Sequence, residues 1–340
     1  MIRCAAVGVL LMLGAVPIPG QPSSADPFAP LRFLAGNWRG DQSGEPGHGT
    51  SERTYEFVFT GRFLQVKNTS TYPQQEKNKN GEVHHDMGMI GFDRARKKFV
   101  FRQFHQEGFV NTYVHEDSGD PKKIVFTSEA IENIAAGWRA RETYLILSND
   151  EFIERFELAE PGKDFALYSE ARLKRVSAAL GAQDKPPQPP TADPWQSLRF
   201  LIGTWEARTQ GGSAGAASSG TYVFRLELRN HVLARHTASA GCTGPSDFDC
   251  EHDDVLYVYQ DSAGQPLKAV YFDNEGHVIY YDVAVPKANT VVFLSPSSQP
   301  GPQFRLTYEL KGRTMEGKFE VRMPGQSGFK SYLEWSGAGK

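Results

Sequence analysis

Two imidazole–carboxylate pairs stand out among the groups that could do chemistry: His85-Asp86 and His252-Asp253, 167 residues apart. An imidazole pointing into an enclosed space can bind a ligand carboxylate or act as a base. The same residues at a strand start can equally satisfy a turn. His84 and His85 are neighbours, so on a strand they face opposite ways and cannot both ligate one metal; no metal site is expected. His105 aligns with Asp273, and Tyr55 with Tyr222, whose hydroxyls could meet a ligand head group or a core backbone partner. Glu107-Gly108 and Glu275-Gly276 recur where glycine suits a positive-φ hairpin position. Arg102, Arg139, Arg141 and Arg172 offer guanidinium forks that fit a carboxylate. Alternation puts Arg102 opposite Phe101 and His105, without saying which face is inside. Cys242 and Cys250 form an even pair that favours a disulfide, since His252 alone does not complete a metal set. No phosphate-cradling glycine loop, Gly-x-Ser-x-Gly elbow or Cys-x-x-Cys pair is present, which counts against several enzyme classes.

The elements that must position these groups have period two. In TYVFRLEL, Tyr222, Phe224, Leu226 and Leu228 share one face; GKFEVRM and FRLTYEL repeat the pattern. This is the signature of strands with one wet face. Turn signals such as Asn80-Gly81, Ser118-Gly119-Asp120, Ala263-Gly264 and Lys311-Gly312 separate the runs, and amphipathic helical stretches are nearly absent. The phrase LRFLAGNW (Leu31–Trp38) returns as LRFLIGTW (Leu198–Trp205), and further matches hold the same offset to within one residue. The repeat is therefore a whole duplicated domain. Strand-like segments begin near residues 36, 52, 62, 84, 97, 108, 122, 138, 151 and 165. In the second copy they begin near 203, 220, 231, 251, 266, 276, 289, 302, 314 and 328. A meander of about ten strands hides its edges by closing. The expected fold is all-β: two tandem up-and-down antiparallel barrels, each opened by a short helical turn capped by Asp26 or Asp193. Gly36 and Gly203 should bend the chain into the first strand, and Trp38 and Trp205 should plug each closed end.

Length and charge bound the partners. The chain has 340 residues, and a formal charge of −3 gives no basic excess to hold nucleic acid. The basic run Arg94–Lys98 reads as a solvated hairpin tip. Residues 1–25 look like a cleavable export signal, cut after Ala25 or Gly20, which places the mature chain in a periplasmic or extracellular space. No apolar run is long enough to span a bilayer. The expected domains are 26–176 and 193–340, joined by a proline-rich spacer over 177–192.

F-L-x-G-x-W at the head of an all-β domain of this length resembles the calycin superfamily. The segments Met87–Val114 and Trp138–Leu158 are similar to stretches of a family of uncharacterised bacterial barrels. That family is related in fold to fatty-acid-binding proteins and to nitrobindin-type haem barrels. The resemblance implies calycin-like barrels and no established reaction. The haem-binding relatives use a histidine on a late strand, and here no histidine falls in the last four strand-like segments of either copy. No cofactor is expected. The leading reading is an exported, non-catalytic binding protein for a small, apolar or amphipathic ligand, contacted by residues among Tyr55, His85, Arg102, His105, Tyr222 and His252. The alternatives are a haem-dependent isomerase of reactive nitrogen species, a cavity enzyme using His85 or His105, and a secreted interaction module presenting the Cys242–Cys250 loop.

Overall fold

The computed structural model describes residues 26–177 and 193–340, apart from 247, 249, 261–264 and 298–300. The export signal, the spacer beyond Ser177 and the Ala263-Gly264 turn lie outside the described residues. Ten strands form the first unit: β1 (Gly36–Gly44), β2 (Gly47–Val58), β3 (Phe63–Tyr72), β4 (Glu82–Asp93), β5 (Lys98–His105), β6 (Val110–Glu116), β7 (Lys123–Glu132), β8 (Arg139–Ser148), β9 (Glu151–Ala159) and β10 (Ala166–Val176). Ten more form the second: β11 (Gly203–Gly211), β12 (Ala217–Glu227), β13 (Val232–Thr243), β14 (Asp254–Gln260), β15 (Leu267–Asp273), β16 (Val278–Lys287), β17 (Thr290–Leu294), β18 (Gln303–Lys311), β19 (Thr314–Arg322) and β20 (Lys330–Gly339). Each set is an antiparallel meander whose first strand also pairs with its last, so both sheets are closed barrels. Closure leaves no edge strand open to pairing. The basic run is the β4–β5 hairpin tip, where Asp93 Oδ1 accepts from the amides of Ala95 and Arg96.

Alternation sorts each strand's side chains into an inner and an outer set. The inner sets make one apolar core per barrel. A 3₁₀ turn closes one end of each: Ala29–Leu34 buries Leu31 and Leu34, and Gln196–Leu201 buries Leu198 and Leu201. Trp38 and Trp205 plug the same ends, their indole N–H groups donating to Leu34 O (2.7 Å) and Leu201 O (2.8 Å). Gly36 and Gly203 have φ of 124° and 140°, a region that glycine enters freely. The aspartates act differently from the expected helix caps. Asp26 and Asp193 lie outside the 3₁₀ segments, accept from the amides of Phe28 and Trp195, and clamp Arg32 and Arg199 with their other oxygens.

The outer faces of β3–β6 meet those of β13–β15 in a third buried core. Phe63 packs on Phe272 (5.3 Å between ring centroids), and Phe104 on Tyr257 (5.4 Å) and Tyr259 (5.5 Å). Polar contacts edge this face: Gln65 Nε2 donates to Tyr257 Oη (3.4 Å), and Arg102 Nε donates to Tyr280 Oη.

Candidate functional site

Strand register redraws the correspondence between the copies. Gly36 stands opposite Tyr55 and Gly203 opposite Phe224, while Trp38 stands opposite Arg53 and Trp205 opposite Tyr222. Tyr222 is thus the counterpart of Arg53, not of Tyr55. Asp86 pairs with His105 and Asp254 with Asp273. The imidazole–carboxylate pair common to both barrels is therefore His84/Asp86 and His252/Asp254, one residue off the His85-Asp86 and His252-Asp253 alignment. The members are two apart because only alternate residues share a face.

Polar side chains take up much of the first barrel's interior. Arg53 donates to Glu154 from Nη2 (2.6 Å) and Nε (3.0 Å), and its Nη1 reaches the carbonyls of Glu52 and Thr69. Tyr55 Oη donates to Glu154 Oε2 (3.4 Å). Glu142 is buried nearby, and burial together with the Glu154 charge pushes its carboxyl well above the usual range. Toward the mouth, Asn68 and Gln103 both donate to Asp86 Oδ1 (2.7 Å each). Burial lowers the His84 affinity for a proton, but bonds to Asp86 and Glu107 outweigh it and lift the pKa to about 10. Burial pulls His105 down to about 4. Phe101, Phe126, Tyr144 and Phe152 pack the remainder.

The second barrel encloses a cavity of about 620 Å³. Three inward positions differ from the first barrel at matching register. Ala269 stands where the first barrel has Phe101, Leu306 where it has Glu142, and Tyr308 faces Gly317 where Tyr144 faces Glu154. Trp335 covers Gly317 so closely that a Cβ there would fall 2.0 Å from its ring. The lining is largely apolar, with Ile279, Phe304, Leu306, Phe319 and Trp335 among it. Arg235 also lines the cavity. Its Nη1 donates to Tyr308 Oη (2.5 Å) and its Nη2 to Asp254 Oδ1. Arg235 Nε is buried and has no hydrogen-bond partner among the described residues. Burial raises the Asp254 carboxyl, but Arg235 and His252 hold it below its usual value. Asp273, Glu275, His277 and the Cys242–Cys250 disulfide also line the space. His277 Nδ1 lies 2.9 Å from Asp273 Oδ2, and that bond raises the imidazole's pKa.

The barrel fold has structural likenesses at low identity. Rv2717c from M. tuberculosis is 18% identical over 45% of this chain and 99% of its own, with a TM-score of 0.35. A protein of unknown function from the DUF3598 family of Nostoc punctiforme PCC 73102 is 11% identical over 93% of this chain and 100% of its own, with a TM-score of 0.26. Transferrin Binding Protein B from Haemophilus parasuis Hp5 is 10% identical over 89% of this chain and 75% of its own, with a TM-score of 0.17. No family model and no curated protein matches the chain.

The residues singled out in the sequence scatter over three places. Tyr222 and His252 line the second cavity. Tyr55 and His105 face the first interior, where Tyr55 is part of the packed core. His85 and Arg102 face outward. His85 Nδ1 lies 3.1 Å from Thr69 Oγ1, and Arg102 stacks on Tyr280 of the other barrel. Arg139 and Arg141 lie over the Phe165 ring, and Arg172 is exposed in a pair with Glu151. Arg53 and Arg235, which are buried in the two interiors, are not among the residues that the sequence singles out. Parity could have found them: Arg53 shares its face with Tyr55 and Phe57, and Arg235 with Leu233.

Proposed function

We propose that this chain is an exported binding protein whose second barrel takes one small ligand with an apolar body and a hydrogen-bond acceptor at its head. The carrying observation is the 620 Å³ cavity, largely apolar, with the Arg235 side chain on its wall. That volume falls in the usual range for small-molecule sites, of roughly 300–1,000 Å³. An arginine donor in a low-dielectric space favours a carbonyl or carboxyl oxygen over a hydrocarbon end. Asp254 already balances the Arg235 charge, so a neutral carbonyl serves as well as an anion. The first barrel, with its ion pair and packed rings, serves as the buttress against which the second is held.

The test is displacement of an apolar fluorescent dye from the purified chain by straight-chain fatty acids, methyl ketones and alkanes. Each added methylene should tighten binding about fourfold, from roughly 0.8 kcal/mol per buried CH₂, until the cavity is full. Ketones and acids should outcompete alkanes of equal length. Affinity independent of chain length, or no competition by any of the three series, sinks the reading. Export is checked separately by the N-terminal residue of the protein recovered from its native host.

A further inference from the structure

His84, Asp86 and His105 meet at the mouth of the first barrel, on the neighbouring strands β4 and β5. His84 Nε2 lies 3.6 Å from Asp86 Oδ2 and 3.5 Å from His105 Nδ1, and the three candidate ligand atoms lie within 4.8 Å of one another. Zinc–ligand bonds of about 2.0–2.1 Å in a tetrahedral site set neighbouring ligand atoms roughly 3.4 Å apart. Two of the three edges already have that length.

The atoms behind the trio are arranged as metal sites require. Glu107 Oε1 lies 2.9 Å from His84 Nδ1, so that nitrogen keeps its proton and an incoming cation need displace only the one on Nε2. Asn111 holds His105 Nε2 at 3.1 Å. An amide is placed equally well either way round, and turned over its oxygen would accept from His105 Nε2–H, leaving Nδ1 as the ligand. Asn68 and Gln103 fix one oxygen of Asp86 and leave the other facing His84. Asn68 and Gln103 each also keep a buried side-chain oxygen with no donor among the described residues. Water molecules carried by a cation would supply such donors. Glu82 and Glu107 crowd around His84 on the outer side, giving a cation an acidic entry.

The second barrel lacks a second imidazole here and brings His252 together with Asp273 and Glu275 instead. Asp273 replaces His105 at the same register, and the Arg235 guanidinium occupies Asp254.

We propose that His84, Asp86 and His105 form a binding site for one borderline divalent transition-metal ion. Two imidazoles and one carboxylate suit Zn²⁺, Fe²⁺ or Co²⁺ and discriminate against Ca²⁺ and Mg²⁺, which prefer oxygen ligands. Three protein ligands leave positions for water, as in metal sites that carry exchangeable ligands. This site is independent of the second-barrel cavity.

The probe is Zn²⁺ alone, titrated into the full chain, stripped with chelator and with its disulfide intact, against a chromophoric competitor. One ion per chain is expected. His105→Gln and Asp86→Asn should each weaken binding at least 100-fold, and Glu107→Gln about 10-fold, in line with the usual effect of outer-shell partners. His236→Gln, on the outer face of the other barrel, should leave affinity unchanged. Because a variant could fail to fold, NMR of the imidazole resonances in the unaltered chain gives a second reading. Zinc should shift His84 and His105 and leave His115 and His236 in place. No stoichiometric complex at micromolar zinc, a complex indifferent to His105→Gln and Asp86→Asn, or shifts confined to other histidines overturns the site.

Discussion

Replacing Glu154 by Leu tests the claim that an ion pair, rather than apolar packing, fills the first barrel. Arg53 and Glu154 have side chains 5% and 9% exposed, and the guanidinium reaches the carboxylate through both Nη2 and Nε. Glu154→Leu removes those acceptors and leaves the Arg53 cation in a dry interior with two backbone carbonyls and Ser70 Oγ. Removing one partner of such a pair costs about 3–5 kcal/mol, because the remaining charge is buried without compensation. Arg53→Met combined with Glu154→Leu removes both charges and keeps the volume, so its stability should lie within about 2 kcal/mol of the parent or above it. The second barrel is a natural precedent, with Tyr222, Gly317 and Trp335 at the corresponding places and no charge there. The assay is urea unfolding followed by peptide-resolved hydrogen exchange, which reads the first barrel separately from the second even if the two melt together. A coupling energy below about 1 kcal/mol across the double-mutant cycle would refute the reasoning. So would a double variant as unstable as Glu154→Leu alone.

Other outcomes follow from the same coordinates. Glu142 is buried and its carboxyl titrates well above 4.5, so it favours the fold below the unfolded value and loses that contribution as pH rises toward the folded one. Glu142→Gln should therefore match the parent near pH 4 and exceed it increasingly above pH 5, by up to about 1.4 kcal/mol per pH unit, in thermal melts across pH. Ala207 lines the second cavity, so Ala207→Trp should displace the space of several methylenes and weaken ligand binding about 100-fold, in the dye-displacement assay, with little change in the first barrel. Phe272→Ala empties the face between the barrels, where Phe272 is fully buried; it should cost about 3–5 kcal/mol and expose β4 and β5 amides to exchange. Serine at both Cys242 and Cys250 should lower stability by about 2–3 kcal/mol in urea melts, the usual loop-closure effect for a short loop.

The architecture was legible from the residues because a closed meander is a local code. Period-two stripes such as Tyr222–Phe224–Leu226, glycine-marked hairpins and the repeated LRFLxGxW phrase placed twenty strands, with the largest error at β2, which begins at Gly47. Residues 47–51 carry two glycines and only polar side chains otherwise, so no apolar stripe announces them. The sites were less legible, for two physical reasons. A one-residue slip in aligning the copies turns a side chain to the other face of the sheet, which is how His85 stood in for His84. And parity says that Arg53 and Arg235 share a face with apolar neighbours, but not that each meets a carboxylate lying far along the chain in Glu154 or on the next strand in Asp254.

By itself, then, the order of residues determined that the chain makes two antiparallel barrels with tryptophan-plugged ends and a disulfide-held loop, since strand period, turn chemistry and cysteine pairing act over short separations. Only the tertiary structure decided that the second barrel holds a cavity, which arginine points inward, that like faces of the two barrels bury one another, and that two histidines and an aspartate share a mouth. Those outcomes depend on register and closure, which bring together groups that no local pattern relates.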